Sequence, residues 1–359
     1  MGRVLSFIAL EVRRLASIGI VLAVPLGCNE DLPPVRWTGQ SLVYHADADA
    51  DACAGAFVLQ DTYVRRLSEM LEVEIDRPVS FSLLSDEELE GVCENETILG
   101  CEFDGDAYSA RAVHFHELAH AVARRGDIHG SVAFREGFAE ALSNGFEPKK
   151  LRVPVEPILR EFGYLDEDYY TAGLFVRFLM DRHGLPNVSE FLKGTSKEQS
   201  FDAVSGVFAD VFGEPLAAAI NAFDAYPSCS AWSNRLALVE CGLEVTPWVG
   251  NSWEAEVAVD CSDEDVLGPL VDGKSLVWAT RALSIDAPGQ FIARTMTTSE
   301  GDATVRLTRC GSCWDAFDVT ILPDQEKPLD LPQGRYYITF IREFDKPGGL
   351  RFSLDRRVP

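Results

Sequence analysis

The chain has 359 residues, 47% of them apolar and 25% charged, so it is long enough for about two globular domains with buried cores. Its formal net charge of −25 argues against nucleic acid binding, because neutralising phosphates requires Lys and Arg. The same charge argues against a basic, lipid-attracted surface. We interpret the acidity as a contribution to solubility, with cation binding as the alternative.

The first residues are predicted to form an export signal. Arginines precede the apolar run LASIGIVLAV, residues 15–24, whose ten residues suit a signal peptide but are too few for a stable membrane span. The following VPLGC resembles the lipobox of bacterial lipoproteins, which implies removal of residues 1–27 as a signal peptide and acylation of Cys28. We therefore expect an exported protein of the bacterial cell envelope, lipid-anchored to a membrane through Cys28. Ordinary cleavage that leaves Cys28 as a thiol is the alternative.

Residues 28–40 are polar with a Pro-Pro pair, and we interpret them as a tether. SLVYHAD follows as a strand candidate. A helix is predicted from a cap at Asp51 to about Val73, because apolar residues recur there at helical spacing. RPVSFSLL is a second strand candidate. The alternating aspartates before the helix are interpreted as a solvated turn, since they lack the glycine and distal glutamate of an EF-hand calcium loop.

The pattern from about Tyr108 to Tyr226 is mainly helical and is interrupted by glycines, and we assign residues 41–228 to one domain. Residues 229–250 are predicted to be a linker. In residues 251–359 the runs WEAEVAVD, SLVWATRAL, GQFIARTM, ATVRLTR and GRYYITFI alternate apolar and polar residues between turns. This alternation predicts an all-β sandwich.

Three of the six histidines occur in the seven residues HFHELAH. His116 and His120 are four residues apart, so on a helix they lie on one face. With Glu117 they form H-E-x-x-H, which offers two nitrogen ligands to Zn²⁺ and a carboxylate that acts on a zinc-bound water. His114 points to a different side of the same helix. We expect it to be a surface residue or to contact a ligand residue, not to bind the metal.

A catalytic zinc requires a third protein ligand and an open coordination position. In AFREGFAEAL, Glu136 follows His120 after 15 residues, which is room for one helix to end at Gly126 and for a second to return alongside it. Gly137 is expected to let these two helices approach closely. Glu140, one turn beyond Glu136, is expected to accept the free ring N–H of a ligand histidine. The alternative is that both glutamates belong to an exposed helix face.

HELAH followed by EGFA resembles the gluzincin metallopeptidases, which combine HExxH with a downstream glutamate. The resemblance covers residues 109–182 by motif and residues 41–225 loosely. It implies an α+β fold, with a zincin-like catalytic domain of a small sheet and active-site helices, followed here by the β-sandwich. In thermolysin-like members the residue four beyond the ligand glutamate is an aspartate that orients the first histidine, and Glu140 is one methylene longer.

The segment YYTAGLFVRFLMDRHG resembles the Y-x-x-G helix start of zinc aminopeptidases, where the tyrosine hydrogen-bonds the oxyanion of the tetrahedral intermediate. Its spacing to Gly173 assigns that role to Tyr170, with Tyr169 and Tyr164 as alternatives and a purely structural tyrosine as a further one. The G-[AG]-M-E-N motif of the aminopeptidases is not found. This favours an endopeptidase or another peptide specificity.

Nine cysteines become eight if Cys28 is acylated, and an even number suits up to four disulfides in an exported protein. Proximity in sequence predicts two local pairs, Cys93 with Cys101 and Cys310 with Cys313. The pairing of the others stays open; they are Cys53, Cys229, Cys241 and Cys261.

The combined expectation is a secreted or surface-anchored zinc-dependent peptidase that hydrolyses peptide bonds with a zinc-activated water. Zinc is expected on His116, His120 and Glu136, with Glu117 as the general base. The expected partner is a peptide or protein substrate. The alternative is a catalytically idle zinc-binding envelope protein that acts as a binding module through its β-sandwich. Glu117 favours the enzyme, because a structural zinc site does not need a general base.

Overall fold

A computed structural model of the chain describes residues 32–93, 99–143, 152–227, 235–270, 276–297 and 303–357. The fold of these residues is α+β, with helices and three sheets. The described helices are α1 Ala54–Leu71, α2 Asp86–Cys93, α3 Phe115–Arg125, α4 Val132–Leu142, α5 Val155–Arg160, α6 Asp166–His183, α7 Leu185–Lys193, α8 Phe201–Phe212 and α9 Leu216–Phe223.

The first sheet lies in the N-terminal half of the described chain. Its strands are β1 Val35–Thr38, β2 Leu42–His45, β3 Val79–Leu83, β4 Gly100–Phe103 and β5 Asp106–Ser109, in the order β1-β2-β3-β5-β4. Strands β2, β3 and β5 are parallel, while β1 and β4 are antiparallel and form the two edges. The predicted disulfide between Cys93 and Cys101 is confirmed, and it joins the end of α2 to the edge strand β4.

The C-terminal strands form two antiparallel sheets, one with the order β11-β10-β13-β8-β7 and one with the order β12-β9-β14-β6. All five runs expected to be strands are strands. Side chains from both sheets share one core, in which Trp253 and Phe352 of one sheet are buried with Leu283 and Phe340 of the other. The strands are β6 Ser252–Val259, β7 Val266–Leu270, β8 Leu276–Ile285, β9 Gly289–Thr297, β10 Ala303–Arg309, β11 Asp318–Ile321, β12 Glu326–Leu331, β13 Gly334–Glu343 and β14 Gly348–Arg356.

The helices follow the predicted pattern, but α1 begins later than was predicted. In α1 the residue at the N-cap position is Cys53 and not Asp51. The HExxH helix α3 begins at Phe115, one residue before the motif, and His114 takes the N-cap position. The apolar face of α3 is buried in a core that it shares with α1, α4 and α6. The motif therefore lies in the first turns of a helix that is covered on one side.

Two segments expected to be connections are ordered. Within the expected tether, β1 pairs with β2. The expected linker is described from Arg235 onward, where Arg235 and Glu240 form a buried ion pair of 2.7 Å. Buried ion pairs and strand pairing hold a segment in one conformation, so neither segment acts as a free connection over its described part.

The disulfides near the sandwich differ from the local pairing that was predicted. Cys310 is bonded to Cys241, not to Cys313, so the expected Cys310–Cys313 bridge is wrong. Cys313 is disulfide-bonded as well, though not to Cys310, and its backbone N–H donates to Asp181 of α6 at 2.9 Å. A further disulfide joins Cys53, at the start of α1, to Cys261 of the sandwich. The Cys53–Cys261 bridge thus connects the helical part to the sandwich, and the Cys241–Cys310 bridge attaches the segment between α9 and β6 to the sandwich.

In the part of the chain that the structure describes, no single helix has both the length and the apolar composition needed to cross a membrane. The bent pair α8 and α9 meets these criteria only when the two helices are taken together.

The Cys53–Cys261 bridge is expected to stabilise the fold more than the Cys93–Cys101 bridge. The first spans 208 residues and the second 8, and a cross-link restricts the unfolded chain more when it closes a longer loop. We expect the Cys53→Ala/Cys261→Ala variant to lose about 2–5 kcal/mol of stability, and to melt at a lower temperature than the Cys93→Ala/Cys101→Ala variant. Calorimetry of the two variants checks this. Equal melting temperatures would contradict it.

Candidate metal centre

Helices α3 and α4 bring the three predicted ligand residues together. The Nε2 atoms of His116 and His120 lie 3.1 Å apart, and they lie 3.3 and 3.2 Å from Oε2 of Glu136. The ligand atoms of the three residues all lie within 4.8 Å of one another. Two imidazoles and one carboxylate that converge in this way can hold a metal ion.

The protonation of this cluster follows from its burial and its charges. Burial alone would lower the pKa of His116, but the hydrogen bond with Glu136, the neighbouring Glu140 and the charge of Glu117 raise it to about 10. Burial would likewise raise the pKa of Glu136, yet attraction to His120 and hydrogen bonds with both histidines hold it well below its usual range. In the metal-free protein a proton on His116 therefore occupies the place that a cation would take.

Arg135 fixes which oxygen of Glu136 faces the histidines. Its Nε and Nη2 atoms donate to Oε1 of Glu136 at 3.1 and 2.7 Å, while Oε2 points to the two imidazoles. A charge-assisted pair of this kind restricts rotation of the carboxylate. The arrangement leaves one oxygen for a metal and commits the other to the guanidinium. Sequence reasoning did not identify Arg135, whose only signal is its position next to Glu136.

Glu140 lies beside the ring of His116, but not at the distance of the hydrogen bond that was expected. Its Oε2 is 3.6 Å from Nδ1 of His116, which is longer than a hydrogen bond but close enough for electrostatic attraction. Helix α6 packs closely on this part of α4. If Gly173 carried a Cβ atom, that atom would lie only 2.5 Å from Cγ of Glu140. Gly137 of α4 also faces α6 and not α3: a Cβ there would lie 2.6 Å from the carbonyl oxygen of Ala172. The expected close approach is therefore between α4 and α6.

His114 is a buried neighbour of Glu117. Ser109 Oγ donates to the carbonyl of Leu99 at 3.1 Å and accepts from the backbone N–H of Arg111, so the 2.8 Å contact with His114 has the Nδ1–H of the ring donating. The opposite ring nitrogen, Nε2, then faces Oε1 of Glu117 at 3.8 Å. Burial lowers the pKa of His114 well below its usual range, which keeps the ring neutral. The imidazole ring of His114 is thus held in a fixed orientation beside Glu117 and carries no charge.

Glu117 is 7% exposed, and burial raises the pKa of its carboxyl group. Electrostatic interaction with His116 and His120 opposes this shift in the pKa of Glu117. A carboxylate with a raised pKa is a stronger base than an exposed one. Its position, directly after His116 in the first turn of α3, sets it beside the converging ligand atoms.

The tyrosine beside the cluster is Tyr169, not Tyr170. The rings of Tyr169 and His116 meet edge to face with centroids 6.0 Å apart, and Tyr169 also contacts Phe162. Burial and the charges of Glu136 and Glu117 raise the pKa of Tyr169, so its hydroxyl keeps its proton at neutral pH. Tyr170 is buried in the hydrophobic core instead. The one-residue offset moves the candidate oxyanion donor to Tyr169.

The other candidates named from the sequence lie elsewhere or cannot be placed. Tyr164 is 56% exposed and contacts Phe162, near Tyr169. Two further histidines each have a carboxylate partner: His183 pairs with Glu214 at 3.1 Å, and His129, which lines one cleft with His120, pairs with Asp127 at 2.7 Å. Cys28 and the predicted signal peptide lie outside the described residues.

No protein-family model and no curated protein sequence matches the chain. Among solved structures it is similar to the Yersinia pseudotuberculosis-derived mitogen, at 12% identity and a TM-score of 0.21, over 31% of this chain and 90% of that one. It is also similar to PirA (10% identity, TM-score 0.19, 31% of this chain and 99% of that one). A third is TmCBM61 in complex with β-1,4-galactotriose (14% identity, TM-score 0.17, 28% and 69%). At these TM-scores the likenesses say nothing about the site.

Metal affinity is expected to rise with pH. Because the carboxylates hold the pKa of His116 near 10, His116 is protonated at neutral pH in the metal-free protein, and metal binding must displace this proton. Each unit of pH below that pKa then lowers the apparent affinity about tenfold for the one proton released. Titration of the metal-free protein with Zn²⁺ against a competing chelator, from pH 6 to 8, measures the slope. An affinity that does not change with pH would contradict this account of His116.

Proposed function

We propose that the protein is a zinc-dependent peptidase of the gluzincin type. The observation that carries the proposal is the convergence of His116, His120 and Glu136 on one point, with the buried carboxyl of Glu117 beside them. A site that only stored or bound a metal would gain nothing from a further desolvated carboxylate that is not a ligand. General-base chemistry accounts for it.

The donor set favours zinc among the common cations. Two imidazole nitrogens and one carboxylate oxygen are the ligand set of many catalytic zinc sites, whereas Mg²⁺ and Ca²⁺ prefer oxygen ligands. When bound, zinc lowers the pKa of a water that it coordinates and polarises a substrate carbonyl. His116, His120 and Glu136 would hold it, with Arg135 fixing Glu136 and Glu140 facing the ring of His116.

Glu117 acts as the general base. It takes a proton from the attacking water and later delivers it to the amine that leaves. The ring of His114 contributes by staying neutral. A positively charged imidazole 3.8 Å from Glu117 would stabilise the charged form of that carboxyl and make Glu117 a weaker base.

Tyr169 stabilises the charge that develops on the substrate oxygen. Its hydroxyl is protonated, and its ring lies against His116, so it is available to donate a hydrogen bond to an oxyanion at the cluster. The tight packing of α6 on α4 supports this role, because it fixes the position of Tyr169 relative to Glu136.

The edge strand β4 borders the site. Glu102 of β4 and His120 line the same cleft, which has a volume of about 300 Å³. An edge strand offers backbone N–H and C=O groups with which an extended peptide can pair. This arrangement supports a peptide as the substrate, bound along β4 with its scissile bond at the cluster.

The disulfides support an exported protein. Cys53, Cys93, Cys101, Cys241, Cys261 and Cys310 are all bonded, and disulfides persist in oxidising compartments. Together with the resemblance of VPLGC to a lipobox, this supports a peptidase held at the bacterial cell envelope through an acylated Cys28.

The Glu117→Gln variant tests the proposed function. The amide keeps the shape of the carboxyl but is not a base, so proteolysis should fall about 10²- to 10⁴-fold while zinc content stays at one per chain. New amino termini released from a mixture of denatured proteins measure the activity. The His120→Ala variant is the control and should lose both metal and activity. Full activity in Glu117→Gln would refute the mechanism.

Tyr169→Phe and Tyr170→Phe form a matched pair, because each removes only a hydroxyl from neighbouring residues of α6. Loss of an oxyanion donor should lower kcat about 10²- to 10³-fold in Tyr169→Phe, with little change in KM. Tyr170→Phe should keep the kcat of the parent. Steady-state kinetics with zinc content measured alongside decides the matter, and the reverse result would return the role to Tyr170.

A further inference from the structure

The cleft beside His120 has an unusual charge for this chain. The sequence contains 57 acidic and 32 basic residues, yet three cations, Arg124, Arg135 and Lys197, line this one cleft. They come from three elements: the last turn of α3, helix α4 and the turn that follows α7. Positively charged side chains at this opening attract the negatively charged groups of a ligand.

Two of these cations have no carboxylate partner among the described residues. Arg124 contacts only the ring of His129, at 3.4 Å, and no ion pair involves Lys197 there. Both side chains are exposed. Arg135 is committed to Glu136 on one side, but its side chain remains 39% exposed to the cleft. The cations are thus available to a ligand.

The carboxylates of the cleft are not paired with Arg124 or Lys197 among the described residues. Glu102 accepts the backbone N–H of Gly105 at 2.7 Å, which ties it to its own turn. Glu198 is exposed and forms no ion pair with Lys197 in the described part of the chain. Apart from the Arg135–Glu136 pair, the cleft thus presents two exposed cations, Arg124 and Lys197, that form no ion pair with Glu102 or Glu198 in the described part of the chain.

We propose that this cleft is a subsite for a carboxylate of the substrate, adjacent to the scissile bond. The proposal rests on the proposed peptidase function and specifies the substrate class. Because His120 forms part of the same wall, a carboxylate held by Arg124 and Lys197 belongs to a residue next to the bond that is cleaved. Two sources share this chemistry: an acidic side chain, or the free C-terminal carboxylate of the peptide.

Binding of three hydroxamates tests the subsite without requiring turnover. A hydroxamate chelates zinc, and the three probes differ only in the residue joined to it: Gln amide, Glu amide, or Gln with a free carboxylate. One of the two carboxylate probes should bind the zinc-loaded protein about tenfold more tightly than the Gln amide, and the preference should weaken at high salt. The Glu amide as the tighter probe identifies the side chain, and the free acid identifies the chain terminus.

Charge reversal assigns the preference to the cleft. Arg124→Glu and Lys197→Glu should abolish it, whereas Lys193→Glu, an exposed residue at the end of α7, should leave it intact. Zinc content of every variant confirms an intact cluster. Equal affinity for all three hydroxamates, or a preference that survives both reversals, overturns the subsite and leaves the peptidase proposal standing. If none of the probes binds to protein that carries zinc, the peptidase proposal itself fails, and the subsite fails with it.

Discussion

One oxygen atom, Oε2 of Glu136, determines the arrangement of the site. It lies within 3.3 Å of the Nε2 atoms of both His116 and His120, in a place that is largely removed from solvent. Desolvating a carboxylate is costly unless positive charge or hydrogen bonds compensate. In the metal-free protein the compensation comes from the proton on His116, from the hydrogen bonds with both imidazoles and from Arg135. A divalent cation would supply more of it, and would free His116 from its proton.

Close packing between helices α4 and α6 holds Oε2 of Glu136 in this position. Gly137 and Gly173 let α4 and α6 pack backbone to backbone, which presses Glu140 toward His116 and brings Tyr169 to the same ring. The first sheet ends in β4, which borders the cleft. The disulfide between Cys53 and Cys261 attaches the start of α1 to the sandwich, so that the helical part is cross-linked to a second core.

Features that depend on local geometry, such as helical periodicity and strand alternation, could be predicted from the sequence. The pairing of His116 with His120 follows from helical periodicity, and Glu136 follows from a helix that returns alongside. The alternation of residues in β6, β8, β9, β10 and β13 likewise predicted the sandwich strands. Strand β12 was missed because Pro328 interrupts its pattern, although an edge strand tolerates proline. β1 was missed because a short polar strand beside a Pro-Pro pair resembles a tether.

Features that depend on tertiary packing were not predictable. The choice between Tyr169 and Tyr170 depends on how α6 is rotated against α4, which the spacing to Gly173 does not specify. Cys310 pairs with Cys241, 69 residues away, because the fold brings them together, whereas proximity in sequence favoured Cys313. The contact of Arg135 with Glu136 between adjacent residues depends on side-chain rotamers, about which sequence periodicity carries no information.

The claim on which the account depends is that His116, His120 and Glu136 bind one zinc ion. X-ray absorption at the zinc edge of the purified, metal-loaded protein tests it most directly, because the scattering identifies the ligand atoms and their distances. We expect imidazole nitrogen and carboxylate or water oxygen at about 2.0–2.2 Å, with the imidazole signal of two histidines. Sulfur ligands at about 2.3 Å, or an oxygen-only shell without imidazole, would contradict the account.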